Sequence, residues 1–377
     1  MNPLQKLRDH GQSLWIDYLR RHFVESNDLA RLVAEDGLEG LTSNPVIFHQ
    51  AISGSDDYRE ALNALARDPA IDALTAYEHL AVEDIRSAAD VLAPIYRRSA
   101  GRAGLVSLEV SPHLAWDTTA TCAEARRLWG AIDRPNALIK VPATPPGTAA
   151  LETLVAEGIS VNATLIFSQS AYRAVAEAYL AGLEQAAAKG LPLAATASVA
   201  SFFISRIDSA VDGLIDRRVQ GGDPAAEALT ALRGQVAIAN AKGAYDDFQT
   251  LLASPRWQAL ARAGAKPQRL LWASTGVKDP RYRDVRYIEE LIGPETVNTV
   301  PPATLDAFKD HGQVATTLNP GDDTARQALA QLAQLGIDLD SVCAELLDDG
   351  IRRFADAFDA LLTAEADALA AARRVEA

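Results

Sequence analysis

A single lysine interrupts the hydrophobic run Ala137-Leu138-Ile139-Lys140-Val141-Pro142-Ala143-Thr144. Burial disfavours the charged form of an amine, so a lysine inside an apolar β run is costly unless it is paired or put to use. Used for chemistry, Lys140 is an amine nucleophile. Polar residues that could assist it stand in other apolar runs: Asp17, Asn44, Glu109, Asn162, Thr164, Ser201 and Ser274.

The elements that must position these residues are short strands. Apolar runs alternate with Ala- and Leu-rich stretches along the chain, a pattern of repeated β-α units around a parallel sheet. Eight candidate strands fall at 13–18, 39–42, 105–110, 137–141, 159–166, 193–201, 269–274 and 296–300. This predicts an α/β fold, a (β/α)8 barrel spanning 1–377 as one domain. Between the strands, 170–189 carries Tyr172, Val175, Ala176, Tyr179, Leu180 and Leu183 at helical spacing, with Gly190 as its stop. The stretch 211–268 predicts an elaborated helical crossover, broken at Gly221-Gly222-Asp223-Pro224 and near Ser254-Pro255. A helical C-terminal segment is expected over 323–374, packed outside the barrel or near its mouth.

Side chains alternate faces along a strand, so parity shows which residues share a side. Ser160, Asn162 and Thr164 share one face of the fifth strand, opposite Val161, Ala163 and Leu165. Ser107 and Glu109 oppose Val106, Leu108 and Val110, and Lys140 opposes Ile139 and Val141. Asp17 ends the first strand on the side of Trp15, Thr42 and Asn44 share a side, and Ser274 ends the seventh. Helices cover a parallel barrel with apolar contact, so the polar parity should face inward, and enzymes of this fold build their sites at the C-terminal strand ends. These residues are therefore expected to converge on one pocket.

Each also has a structural role open to it. Lys140 could form a buried ion pair with Glu109. Asp17 could cap the helix that follows. Asn and Thr side chains on an inner face could satisfy one another.

Composition narrows the function classes. A formal charge of −14 and the lack of a basic stripe argue against a nucleic-acid partner. Cys122 and Cys343 stand far apart, which gives neither a disulfide framework nor metal spacing, and the six histidines form no metal motif. No signal-like start or long uninterrupted apolar run is present, so no membrane association and a cytoplasmic location are expected. The chain has no Walker loop or dinucleotide fingerprint, and Trp272 stands where a serine-hydrolase elbow needs glycine before Ser274.

The stretch Leu41-Thr42-Ser43-Asn44-Pro45-Val46-Ile47-Phe48, taken with the Leu138-Ile139-Lys140-Val141-Pro142-Ala143-Thr144 strand and 160–168, closely resembles the transaldolases. Those enzymes use a Schiff base in the pentose phosphate pathway, and the resemblance covers about 13–300. It implies that Lys140 forms an imine with a ketose phosphate and that Asp17 exchanges the proton of the C4 hydroxyl. Glu109 and Thr164 would relay protons through a water. Asn44, Asn162 and Ser201 would bind the dihydroxyacetone unit, and Arg206 and Ser274 would serve the sugar phosphate. The family carries arginine two residues after that serine; here Gly276 holds the position, and Lys278 is the natural substitute. An ion pair with Asp208 is the alternative role for Arg206. The substrates implied are sugar phosphates, fructose 6-phosphate or sedoheptulose 7-phosphate as donor, with no metal or organic cofactor. A cleaving aldolase of the same fold and a non-catalytic sugar-phosphate-binding barrel are the alternatives.

Overall fold

Eight short strands pair side by side in chain order, and the last pairs with the first, closing a parallel barrel. The structure is a computed structural model describing residues 2–376. The strands are β1 Gln12–Asp17, β2 Gly40–Thr42, β3 Leu105–Glu109, β4 Ala137–Pro142, β5 Val161–Ile166, β6 Ser198–Phe203, β7 Arg269–Ala273 and β8 Thr296–Val300. Nearly every strand residue is buried, as expected where helices cover the outside and side chains fill the inside.

Most strand ends fall within one or two residues of the sequence expectation, and two of the differences have a plain backbone cause. The sixth was drawn over 193–201, but Leu193–Ala195 form a 3-10 turn closed by Ala195 N donating to Pro192 O, and the strand runs on through Phe203. The seventh stops at Ala273 because Ser274 takes a left-handed backbone, φ +55°, which a strand cannot continue.

In a parallel pair, residues in register point to the same face. Glu109, Lys140 and Asn162 stand in register across β3, β4 and β5, and Asp17 stands beside Thr42. Lower in the barrel Trp15 is in register with Gly40, whose missing side chain leaves room for the indole. A Cβ at residue 40 would fall inside the van der Waals envelope of that ring. Arg269 plugs the N-terminal end, donating to Ser13 Oγ at 2.8 Å and to the Arg102 carbonyl at 2.5 Å.

The helix Gln169–Ala188 matches its predicted span closely; Ser168 caps it, accepting from Ala171 N at 3.0 Å, and Gly190 turns the chain away at φ +73°. The crossover between β6 and β7 is built from helices Ser205–Gln220, Ala226–Ala231, Val236–Ala253 and Pro255–Arg262. Its first helix starts before residue 211, and Ser254 caps its last.

Two helices close the chain, Asp323–Gln334 and Leu339–Glu376. The longer crosses helices Pro45–Ser53, Arg59–Ala66 and Ala73–Arg98 and reaches β5, so it lies over one side of the barrel mouth. It buries Phe354, Phe358, Leu361 and Leu369, together with Glu365. Neither carboxylate oxygen of Glu365 has a hydrogen-bond partner among the described residues, and burial pushes its carboxyl up to about 7. Among the described residues no helix is long and apolar enough to cross a membrane.

Candidate active site

At the C-terminal ends of the strands lies a cavity of about 270 Å³, with Asp17, Asn44, Lys140, Thr164, Ser201 and Arg206 in its wall. Ser274 and Lys278 complete the list of predicted residues that line it. A larger cavity of about 610 Å³ runs between Ser53, Arg59 and Glu365, but it contains none of these strand-end residues.

The lysine sits deep. Lys140 is 4 % exposed; its Nζ donates to the Ser43 carbonyl at 3.2 Å and lies 3.1 Å from Glu109 Oε2. The predicted ion-pair contact is therefore present. Among the described residues neither Glu109 oxygen has a further hydrogen-bond partner, so the pair is close enough to exchange a proton without the geometry of a saturated bridge. Burial holds the Glu109 carboxyl above its ordinary range, against the pull of Lys140. Glu109 itself stands behind the lysine rather than in the cavity wall.

Asp17 does not cap the following helix, whose N-cap is Arg20. Instead Thr42 Oγ1 donates to Asp17 Oδ1 at 2.6 Å, and Thr299 Oγ1 lies 2.8 Å from the same threonine. Burial raises the Asp17 carboxyl, while Lys140, the Thr42 bond, Arg206 and Lys278 all oppose that rise. The Asp17 carboxyl thus sits within electrostatic reach of three cations.

Asn44 has two uses. It is the N-cap of helix Pro45–Ser53, and its Oδ1 accepts from Ile47 N at 3.0 Å, which leaves the amide N–H groups for the cavity. Asn162 bonds to neighbours across the barrel: its Nδ2 donates to Ser107 Oγ at 3.1 Å and its Oδ1 accepts from Ser201 Oγ at 2.7 Å. It is fully buried and does not line the cavity. Thr164 does, and its Oγ1 is buried without a hydrogen-bond partner among the described residues. Just beyond it Leu165 adopts φ +58° and the β5–β6 ladder slips, a bulge of the kind that re-aims side chains near sites.

Arg206 starts the helix after β6. Asp208, its alternative partner, accepts instead from Ala237 N and Tyr287 Oη, each at 2.8 Å. The guanidinium lies over two rings, 5.3 Å from the centroid of Phe203 and 5.9 Å from that of Phe354, and among the described residues its buried Nη1 has no hydrogen-bond partner. Lys278 Nζ folds to within 3.9 Å of the point where a Cβ on Gly276 would sit, so its ammonium covers the glycine. Ser274 Oγ lies 2.9 Å from Ser205 Oγ.

Several residues of the cavity wall were not among the predicted site residues, Thr299, Phe203 and Phe354 among them. Thr299 stands in register with Trp15, on the face Asp17 shares, and could have been found by the same count. Phe203 lies beyond the predicted end of the sixth strand. Phe354 belongs to the terminal helix, where no strand parity operates. Among the described residues no group of three or more His, Cys, Asp or Glu is placed to hold a metal ion, and both cysteines are free and buried.

Residues 14–365 match the family model described as Transaldolase/Fructose-6-phosphate aldolase. Named relatives match over nearly their whole length. The chain is 48 % identical over 362 residues to "Transaldolase" of Thiobacillus denitrificans, covering 96 % of this chain and 99 % of that protein. It is 47 % identical over 376 residues to "Transaldolase" of Thermobifida fusca, covering 98 % and 99 %. To "Transaldolase 2" of a Nostoc species it is 46 % identical over 367 residues, covering 96 % of each.

Proposed function

The chain belongs to the transaldolase/fructose-6-phosphate aldolase family, and from that premise we propose a transferase that moves a dihydroxyacetone unit between sugar phosphates through Lys140. The observation that carries this assignment is the buried Lys140 amine, 3.1 Å from Glu109 and in the electrostatic reach of Asp17.

The neutral amine adds to the C2 ketone of fructose 6-phosphate or sedoheptulose 7-phosphate. Glu109, with Thr164, moves the protons as the carbinolamine loses water to become the imine. Asp17 then takes the C4 hydroxyl proton, the C3–C4 bond breaks, and its electron pair flows into the imine as the aldose phosphate departs. The three-carbon carbanion stays on Lys140, with Asn44 and Ser201 for its hydroxyls and Asn162 orienting Ser201. An acceptor aldose phosphate, erythrose 4-phosphate or glyceraldehyde 3-phosphate, accepts the new C–C bond, and Asp17 returns the proton to its oxygen. Water releases the product and restores the amine. Arg206, Ser274 and Lys278 hold the phosphate, Arg206 by the bidentate geometry that guanidinium allows. No organic cofactor is needed, and the reaction is that of the pentose phosphate pathway.

Transfer is favoured over simple aldol cleavage by the printed names of relatives at 46 to 48 % identity. A non-catalytic sugar-phosphate barrel would have no use for both Lys140 and Asp17. A cytoplasmic location fits two free, buried cysteines, and a net charge of −14 disfavours nucleic acid.

Borohydride reduction in the presence of fructose 6-phosphate tests the assignment. It should leave a three-carbon adduct on Lys140, and Lys140→Ala should lose both adduct and turnover. An adduct on another lysine, or none, refutes it.

A further inference from the structure

We propose that Phe354 of the terminal helix Leu339–Glu376 is a positioning residue of this site, covering the Lys140 amine and fixing Arg206 so that donor cleavage ends in transfer. The proposal rests on the Lys140 reading above and adds to it a residue outside the barrel strands.

Phe354 lines the cavity although it is only 3 % exposed. Its ring centroid is 5.8 Å from Lys140 Nζ and 5.9 Å from Arg206 Cζ. With Phe203 at 5.3 Å, the guanidinium contacts two π faces. This differs in kind from pinning by a carboxylate. A carboxylate would occupy the N–H donors and compete with phosphate, whereas rings orient the cation and leave its donors free. The unpartnered, buried Nη1 has that freedom.

The ring is placed by its neighbours four residues away on either side, which share its face of the helix. Gly350 lets the helix approach β5 closely: a Cβ there would lie 3.0 Å from Leu165 Cδ2 and 3.5 Å from Arg206 Nη1. Phe358 packs edge-on against Tyr77, centroids 5.4 Å apart. The helix is thus anchored before and after the residue that enters the site.

The consequence concerns the three-carbon carbanion. If solvent protonates C3 before an aldose phosphate arrives, water hydrolyses the resulting imine and free dihydroxyacetone leaves, restoring the Lys140 amine. An apolar ring above Lys140 excludes that water. Its stacking on Arg206 meanwhile keeps the phosphate end in place.

The two parts separate in two variants, assayed with fructose 6-phosphate and erythrose 4-phosphate for transfer and for free dihydroxyacetone. Phe354→Ala should raise KM for fructose 6-phosphate about tenfold through the lost ring. It should also raise dihydroxyacetone released per transfer several-fold. Phe354→Leu keeps apolar cover without a π face, so KM should rise while release stays at the parental ratio. Borohydride labelling of Lys140 should persist in both. Loss of labelling in the parent enzyme would sink the Lys140 reading instead. Parental KM in Phe354→Leu overturns the Arg206 role, even if the alanine variant folds poorly. A release ratio in Phe354→Leu as high as in a folded Phe354→Ala overturns the cover.

Discussion

Glu109 Oε2 lies 3.1 Å from Lys140 Nζ, both side chains almost wholly withdrawn from solvent, and among the described residues no other group hydrogen-bonds the carboxylate. A permanent buried counter-ion would be expected to be held by further hydrogen bonds, since removing two charges from water is costly unless their remaining lone pairs are satisfied. Burial also lifts the Glu109 carboxyl toward its protonated form. Both features suit a group that passes a proton to and fro. Glu109→Gln keeps the shape and removes that exchange. Borohydride-trapped adduct should then accumulate about a hundredfold more slowly to the same final amount. A parental rate of adduct formation removes Glu109 from the relay.

Asp17→Asn should still give the Lys140 adduct but slow C–C cleavage by about 10³-fold. The base must be ionised, so activity falls as pH drops through the Asp17 pKa, which burial sets above the ordinary carboxylate range. The Thr42 hydrogen bond stabilises the ionised form. Thr42→Val therefore moves the acid limb of the kcat/KM profile to higher pH, and a limb that stays or moves lower contradicts the assignment.

Arg206→Ala should raise KM for fructose 6-phosphate by about 10²-fold, the scale of a lost charge-assisted contact. Lys278→Ala should cost less, about tenfold, because an ammonium acts as a point charge. Trapping of unphosphorylated dihydroxyacetone should change little in either. Equal losses with both compounds would rule out a phosphate role.

Gly40→Ala tests the barrel floor. A methyl there meets the Trp15 indole, and neither β1 nor β2 can yield without disturbing Asp17 and Thr42 above. Overpacking of this kind costs about 1–3 kcal/mol. Urea unfolding of the variant should show it, and an unchanged midpoint would mean that the ring can move aside.

Glu365 gives a stability effect that is separate from the barrel pocket. Its folded carboxyl is raised to about 7 by burial. Relative to an exposed glutamate, it contributes stability fully below its unfolded pKa of about 4.3, and that contribution is lost as pH rises through about 7. Glu365→Gln removes this dependence, so its stability relative to the parent should increase between pH 5 and 8, by up to about 3 kcal/mol. A constant difference in thermal midpoint across that range would show that the carboxyl is solvated.

Much of the barrel could be read from the chain because two periodicities coincide there. Apolar runs of strand length located all eight strands, and parity along them gave the inward face that carries Asp17, Lys140, Thr164 and Ser201. Parity could not report exposure: Asn162 has the right face and stands in register with Lys140, but it is fully buried, tied to Ser107 and Ser201, and does not line the cavity. Nor could it foresee the start of β6, where Pro192 and a 3-10 turn intervene before the strand. Phe354 was out of reach for a different reason. It sits in an amphipathic helix rich in alanine and leucine, and only tertiary packing distinguishes it from the other apolar residues of that stripe.

The position of Phe354 bears on how the enzyme is made. β1 cannot complete its pairing until β8 has been synthesised, and the roof of the pocket comes later still, from a helix that begins at Leu339. A chain emerging from the ribosome would therefore present Lys140 and Asp17 long before Phe354 can cover them. Contacts of such sequence separation are slow to form. Carbonyl metabolites could meet an uncovered amine during that interval, and assembly of the terminal helix ends it.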